Sequence, residues 1–262
     1  MCGIVGAIQS QGSVVEGLVQ GLRVLEYRGY DSSGIAFADN GRVIVRKREG
    51  RLERLIELLA GGDYSRARAG IGHTRWATHG SPSDKNAHPH GGALERIAVV
   101  HNGIFENYLE LRKDLEARGV RMRSDTDTEL LAHLVEQEYE RSGNLFEALR
   151  KSLARVEGYY AVAVLAQGKD GPVLACARQG PPLAALVTPA AAYLASDVLG
   201  LLPHGSDVIF LEDGDVASLA PGRDPRASRA LAARIAACPR NHSDRRTQFP
   251  ANDAATAGID AS

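Results

Sequence analysis

The chain opens on an unbroken apolar, β-branched run, Cys2-Gly3-Ile4-Val5-Gly6-Ala7-Ile8, which has no helical period and predicts a buried strand. Ser13 and Glu16 then stand three apart as a capping box. Val15, Leu18, Val19, Leu22 and Leu25 recur behind them at helical spacing, predicting a helix to about residue 27. Apolar runs at 35–38 and 43–45 flank Asn40-Gly41, a dipeptide that supplies positive φ at both centres of a two-residue hairpin. Leu52, Leu55, Ile56 and Leu59 mark a second helix, closed by Gly61-Gly62. From 69 to 107 short strands alternate with polar loops rich in Gly and His, the kind of loop on which functional residues concentrate. Helices are predicted over 108–117, over 128–140 behind a second capping box (Thr126 and Glu129), and over 145–156. Short strands follow at 159–165, 173–177, 184–187, 193–195 and 208–211. Strands joined by short turns, with helices grouped between them, predict antiparallel sheets and an α+β fold.

The pattern changes near residue 220, where Ala, Arg, Asp and Pro take over. Residues 227–237 read as one short helix. The rest of 220–262 carries too little apolar surface to offset the entropy of ordering it, so the predicted domain is 1–219 with a disordered tail.

Composition sets limits rather than a direction. A chain of 262 residues, 44% hydrophobic and 24% charged, can bury a sizeable core without disulfides or metals. Its formal net charge of −1 gives no global pull toward nucleic acid or a membrane surface. The basic run from Arg42 to Arg54 is broken by Glu49 and Glu53 and reads as solvated surface. Cys2, Cys176 and Cys238 form an odd, scattered set, neither a disulfide framework nor a metal-spaced pair, which predicts a reducing, cytoplasmic setting. No leader pattern and no apolar run of about 20 residues is present, so no membrane segment is expected.

Several positions carry candidate chemistry. Removal of Met1 would leave Cys2 with both a thiol and a free α-amine, a nucleophile and its base in one residue. Read alone, Cys2 is better taken as a small apolar residue starting a strand. In His73-Thr74-Arg75-Trp76-Ala77-Thr78-His79-Gly80, the Arg75 fork fits a carboxylate, Trp76 can cover a small pocket, and Thr78 and His79 can meet a polar ligand. Asn102-Gly103 offers a side-chain N–H beside a backbone N–H, the elements of an oxyanion hole, or else an ordinary turn. Asp127 at a helix start suits a substrate ammonium or simply the helix dipole. His73, His79, His88, His90 and His101 crowd one stretch without the spacing of a metal motif, so neither metal nor cofactor is expected.

Together, Cys2-Gly-Ile-Val-Gly6, Leu25-Glu-Tyr-Arg-Gly-Tyr-Asp-Ser32, residues 73–80, Asn86 to His90, Val100-His-Asn-Gly-Ile104 and Thr126 to Glu129 resemble the class II glutamine amidotransferases, which are N-terminal-nucleophile enzymes. Their wording is similar to the glutamine–fructose-6-phosphate aminotransferase branch over roughly residues 1–219, more than to the phosphoribosyl-pyrophosphate type. The resemblance implies a four-layer αββα sandwich of two antiparallel sheets. It implies Cys2 as nucleophile, Asn102 and Gly103 as oxyanion donors, Arg75 on the glutamine carboxylate and Asp127 on its ammonium. Thr78, His79 and His88 would line the pocket, Trp76 would seal it and gate ammonia, and Arg28 would support the site. Glutamine is then the expected ligand, without cofactor. The family's second, sugar-phosphate isomerase domain is expected to be absent, with an isomerase partner in trans and a homodimer both left open. A non-catalytic module that binds glutamine is the remaining alternative.

Overall fold

The opening apolar run forms strand β1 (Gly3–Gln9), whose side chains divide by parity. Ile4 and Ile8 face a second sheet, whereas Val5 and Ala7 pack under the first helix. A strand buried on both faces shows no alternation in sequence, which explains the uniformly apolar run. The structure is a computed structural model that describes residues 2–76, 80–221 and 236–237.

In chain order β1 is followed by helix α1 (Val15–Leu25), β2 (Ser32–Asp39), β3 (Arg42–Glu49), α2 (Leu52–Leu59), β4 (Ala69–Arg75), β5 (His90–Gly91) and β6 (Ile97–Phe105). Helices α3 (Tyr108–Ala117), α4 (Thr128–Ser142) and α5 (Leu145–Leu153) come next. The chain then returns to strand, with β7 (Gly158–Gly168), β8 (Gly171–Gln179), β9 (Ala184–Val187), β10 (Ala191–Ala195), β11 (Val208–Phe210), β12 (Asp215–Leu219) and β13 (Ala236–Ala237).

One antiparallel sheet has the order β11-β9-β10-β1-β4-β2-β3 and the other β13-β12-β8-β7-β6-β5. Leu18 and Leu22 of α1 and Leu55 of α2 cover the outer face of the first sheet against Val5 and Ile35. Leu131 and Val135 of α4 and Leu149 of α5 cover the second against Val162 and Val164. Between the sheets lie Ile4, Ile71, Val100, Ala163, Leu174 and Cys176. This is the predicted αββα sandwich.

The Asn40-Gly41 hairpin forms with φ of 47° and 78° at its two centres. α4 runs two residues past its predicted end, to a left-handed Gly143. α5 stops three residues short of 156. Neither capping box forms. Ser13 Oγ accepts from Val15 N–H at 3.3 Å, but the N-cap position of α1 is Val14. At α4 the Thr126 hydroxyl pairs with His90 and Ser124, and Glu129 folds back onto Arg123 and Ser124, so tertiary partners displace the local ones. β12 was not predicted. Its neighbour, residues 236–237, is strand rather than the end of a helix; the remainder of 227–237 and of the predicted tail from 222 onward lies outside the described residues. Among the described residues no helix is long and apolar enough to cross a membrane.

Candidate active site

The face of each sheet that looks into the sandwich changes from apolar to polar toward one end. Along β4 it reads Ala69, Ile71, His73, Arg75, and along β6 it reads Ala98, Val100, Asn102. His73 and Asn102 meet across the gap at 3.0 Å. The period of two that builds the core therefore also aims the polar residues into the space where the core ends.

Cys2 precedes Ile4 on the same parity. Its Sγ accepts from Trp76 N–H at 3.2 Å and lies 3.5 Å from Trp76 O, to which the thiol donates. Burial pushes the thiol pKa up, and the Trp76 N–H and the Arg75 charge only partly offset that. The thiol is thus protonated at neutral pH and needs a base to become a nucleophile.

Asn102 is held at both ends of its amide. His73 Nε2 donates to Oδ1 at 3.0 Å, and Nδ2 donates to Cys2 O at 2.9 Å, with a second N–H on the same nitrogen. Burial drives the His73 pKa down to about 3, so its ring stays neutral, and the Asn102 oxygen facing Nε2 places the one N–H there. Asn102 and Gly103 lie inside β6, which continues to Phe105, and not in the turn that the dipeptide alone suggests. At Gly103 φ is 135° and an added Cβ would lie 2.0 Å from Tyr159 O, so no side chain fits.

Arg75 is buried and its Nη2 donates to Gly80 O at 3.1 Å. Burial lowers its pKa, opposed by the charges of Cys2, Asp127 and Asp31. Asp127 Oδ2 accepts from Phe105 N–H at 2.9 Å, which ties the start of α4 to the end of β6. Arg28 pairs with Asp197 and donates through Nε to the Tyr27 hydroxyl at 3.2 Å. Trp76 is 46% exposed, edge-on to Tyr30 at 5.6 Å, and stands at the mouth.

Cys2, Arg28, Arg75, Trp76, His88, Asn102, Gly103 and Asp127, every predicted site residue that the structure describes, line one cavity of about 310 Å³. Thr78 and His79 lie outside the described residues. The same walls include His101, Ile104, Thr126, Thr128, Pro181 and Pro182, which sequence reasoning did not select. His101, Ile104, Thr126 and Thr128 stand inside the motifs that carry the resemblance, whereas Pro181 and Pro182 fall in none of them. Among the described residues no group of three or more His, Cys, Asp or Glu side chains is arranged to hold a metal ion.

A family model described as a glutamine amidotransferase domain matches residues 73–203. The glutamine–fructose-6-phosphate aminotransferase (isomerizing) of Thermus thermophilus is 52% identical over 219 residues, covering 84% of this chain and 35% of that protein. The protein of the same name from Aquifex aeolicus is 44% identical over 221 residues, covering 84% and 36%. The chain thus spans about a third of the length of these curated relatives. Among solved structures, a glutamine phosphoribosylpyrophosphate amidotransferase from B. subtilis superposes with a TM-score of 0.68 over 83% of this chain and 47% of its own. At 24% identity that likeness concerns the fold.

Proposed function

This chain belongs to the glutamine amidotransferase domain family, and we propose that Cys2 is the nucleophile with which it takes the side-chain nitrogen off glutamine. The observation that carries this reading is the single cavity that Cys2 shares with the Asn102 amide, the Arg75 guanidinium and the Asp127 carboxylate. Loss of Met1 frees the α-amine of Cys2, whose ordinary pKa is about 7.7–8.0. That amine takes the thiol proton, and the thiolate attacks the carboxamide carbon of glutamine. The resulting oxyanion accepts from Asn102 Nδ2 and Gly103 N–H. As the carbon–nitrogen bond breaks, the amine returns its proton to the departing nitrogen, leaving a γ-glutamyl thioester and ammonia. Water then attacks the thioester, releasing glutamate and restoring the thiol.

Arg75 holds the substrate α-carboxylate through its planar fork and Asp127 holds the α-ammonium. His88 lines the pocket, Thr78 and His79 take the same role, Trp76 covers the mouth, and Arg28 braces the segment behind Cys2. The names of the relatives, at 44% and 52% identity, favour fructose 6-phosphate as the destination of the nitrogen, with glucosamine 6-phosphate as product, over a phosphoribosyl-pyrophosphate acceptor. The acceptor would be bound by an isomerase half, and the reaction would run in the cytoplasm, where Cys2 and Cys176 stay free thiols.

The test is mass spectrometry of the purified chain after exposure to a diazoketone analogue of glutamine, beside a glutaminase assay with and without fructose 6-phosphate. Loss of Met1, one adduct on Cys2 and glutamate release are expected. Retained Met1, or an adduct that survives Cys2→Ala, would overturn the reading.

A further inference from the structure

The side chain of Lys47 departs from the solvated run in which it stands. Arg46, Arg48 and Glu49 are exposed, but Lys47 follows Val43 and Val45 on the face of β3 that looks into the sandwich. Its ammonium has three N–H donors and meets three carbonyls: Ala87 O at 2.6 Å, Pro89 O at 3.2 Å and Lys85 O at 3.3 Å. The three acceptors are alternate residues of the loop that leads into β5.

A second contact grips the same loop on the same rung of the sheet. Lys47 pairs with Gly34 across β2 and β3, and Gly34 pairs with His73 across β2 and β4. A Cβ at Gly34 would lie 2.2 Å from His88 O, so the loop rests directly on the β2 backbone. The His88 ring lines the cavity and packs 4.3 Å from the His73 ring, which in turn holds the Asn102 amide.

We infer that Lys47 is a positioning residue for the glutamine pocket, its ammonium seating the 85–89 loop so that His88 forms a fixed wall. The inference rests on the proposed function for its kinetic consequences only. The charged and titratable groups around Lys47 are Asp84 of the loop, Glu129 of α4, Arg123 before α4, Arg75 of β4 and His90 of β5. Burial brings the Lys47 pKa down to about 8, with the nearby carboxylates opposing that change, so the holding charge is present at neutral pH and fades above about 8.

Lys47→Met and Lys47→Arg in the full chain test this by hydrogen exchange across residues 83–91 and by glutaminase kinetics from pH 6.5 to 9.5. Lys47→Met should speed exchange in the loop on the order of tenfold, because it removes three charge-assisted donors from one segment. It should raise KM for glutamine about tenfold while kcat stays within about threefold, the pattern of lost ground-state binding. In the parent chain KM should climb as pH passes about 8. Lys47→Arg, which keeps its charge there, should flatten that climb even if the wider guanidinium seats the loop less well. Unchanged exchange with unchanged KM in Lys47→Met overturns the inference, and so does a climb in KM that Lys47→Arg leaves intact. A parent chain that does not hydrolyse glutamine sinks the functional reading, while the exchange measurement still decides the role of Lys47. Should Lys47→Met fail to fold, Lys47→Arg decides through both readouts.

Discussion

Replacing Glu129 by Gln takes one oxygen from a carboxylate whose two oxygens are both in use. Oε1 accepts from Arg123 N–H at 2.7 Å, and Oε2 accepts from Ser124 N–H at 2.6 Å and from the Ser124 hydroxyl at 2.7 Å. A carboxamide turns an NH2 toward one of those donors in a site where Glu129 is 2% exposed, and a buried unsatisfied polar group costs about 1–3 kcal/mol. Proton linkage gives a similar size. Burial alone would raise the pKa of Glu129, but His133 beside it and the bonds from Ser124 and Arg123 outweigh burial and hold it at about 2 against an ordinary 4.5. That gap corresponds to about 3 kcal/mol. Because the folded-state pKa is depressed, this stability is fully present above about pH 4.5 and is lost as pH falls toward 2. For a domain of this size about 3 kcal/mol lowers Tm by about 6–12 °C. Scanning calorimetry of both chains from pH 7 down to 2.5 should show that deficit at pH 7 and a narrowing gap below about 4.5, as the parent loses what Glu129→Gln never had. A Tm within about 2 °C of the parent at pH 7, or a gap that stays constant into acid, would refute the argument.

Two substitutions in the cavity separate binding from turnover. Arg75→Lys should raise KM for glutamine by about tenfold or more, because one ammonium cannot reproduce the planar fork; steady-state kinetics with an unchanged KM would contradict that role. Asn102→Ala should lower kcat on the order of 10²–10³ with a smaller change in KM, as expected of an oxyanion donor. A larger effect on KM than on kcat would assign Asn102 to substrate binding instead.

Much of the fold is legible in the sequence because its signals are local. Asn40-Gly41 specifies its own turn, and the 3.6 spacing of Leu18, Leu22 and Leu25 faces α1 onto one sheet wherever that sheet lies. The misses fall where a distant partner decides. Thr126 and Glu129 have the spacing of a capping box, but His90 lies 3.0 Å from the Thr126 hydroxyl and two backbone N–H groups of the preceding loop claim the carboxylate. Strand β12 shows no signal of its own, and its register is fixed by β8, with Val216 opposite Ala177. No local rule can weigh a hydrogen bond that spans 36 residues against one that spans three.

The candidate site divides along the same line. Cys2, Arg75, Asn102 and Asp127 are visible because each residue type names its chemistry, and their joint order supplies the resemblance. Lys47 is hidden for the opposite reason: a lysine among arginines and glutamates on a strand is the usual mark of a wet surface, and only parity says otherwise. Since β3 alternates, with Val43 and Val45 packed toward the inter-sheet core, the next residue of that parity must point into the sandwich as well. An ammonium delivered there must find acceptors or lose its charge, and the loop beside it offers three carbonyls. The same alternation carries His73 and Arg75 beyond Ile71, and Asn102 beyond Val100. The cavity is therefore the continuation of the hydrophobic core, reached along the strands at the point where the side chains of core parity cease to be apolar.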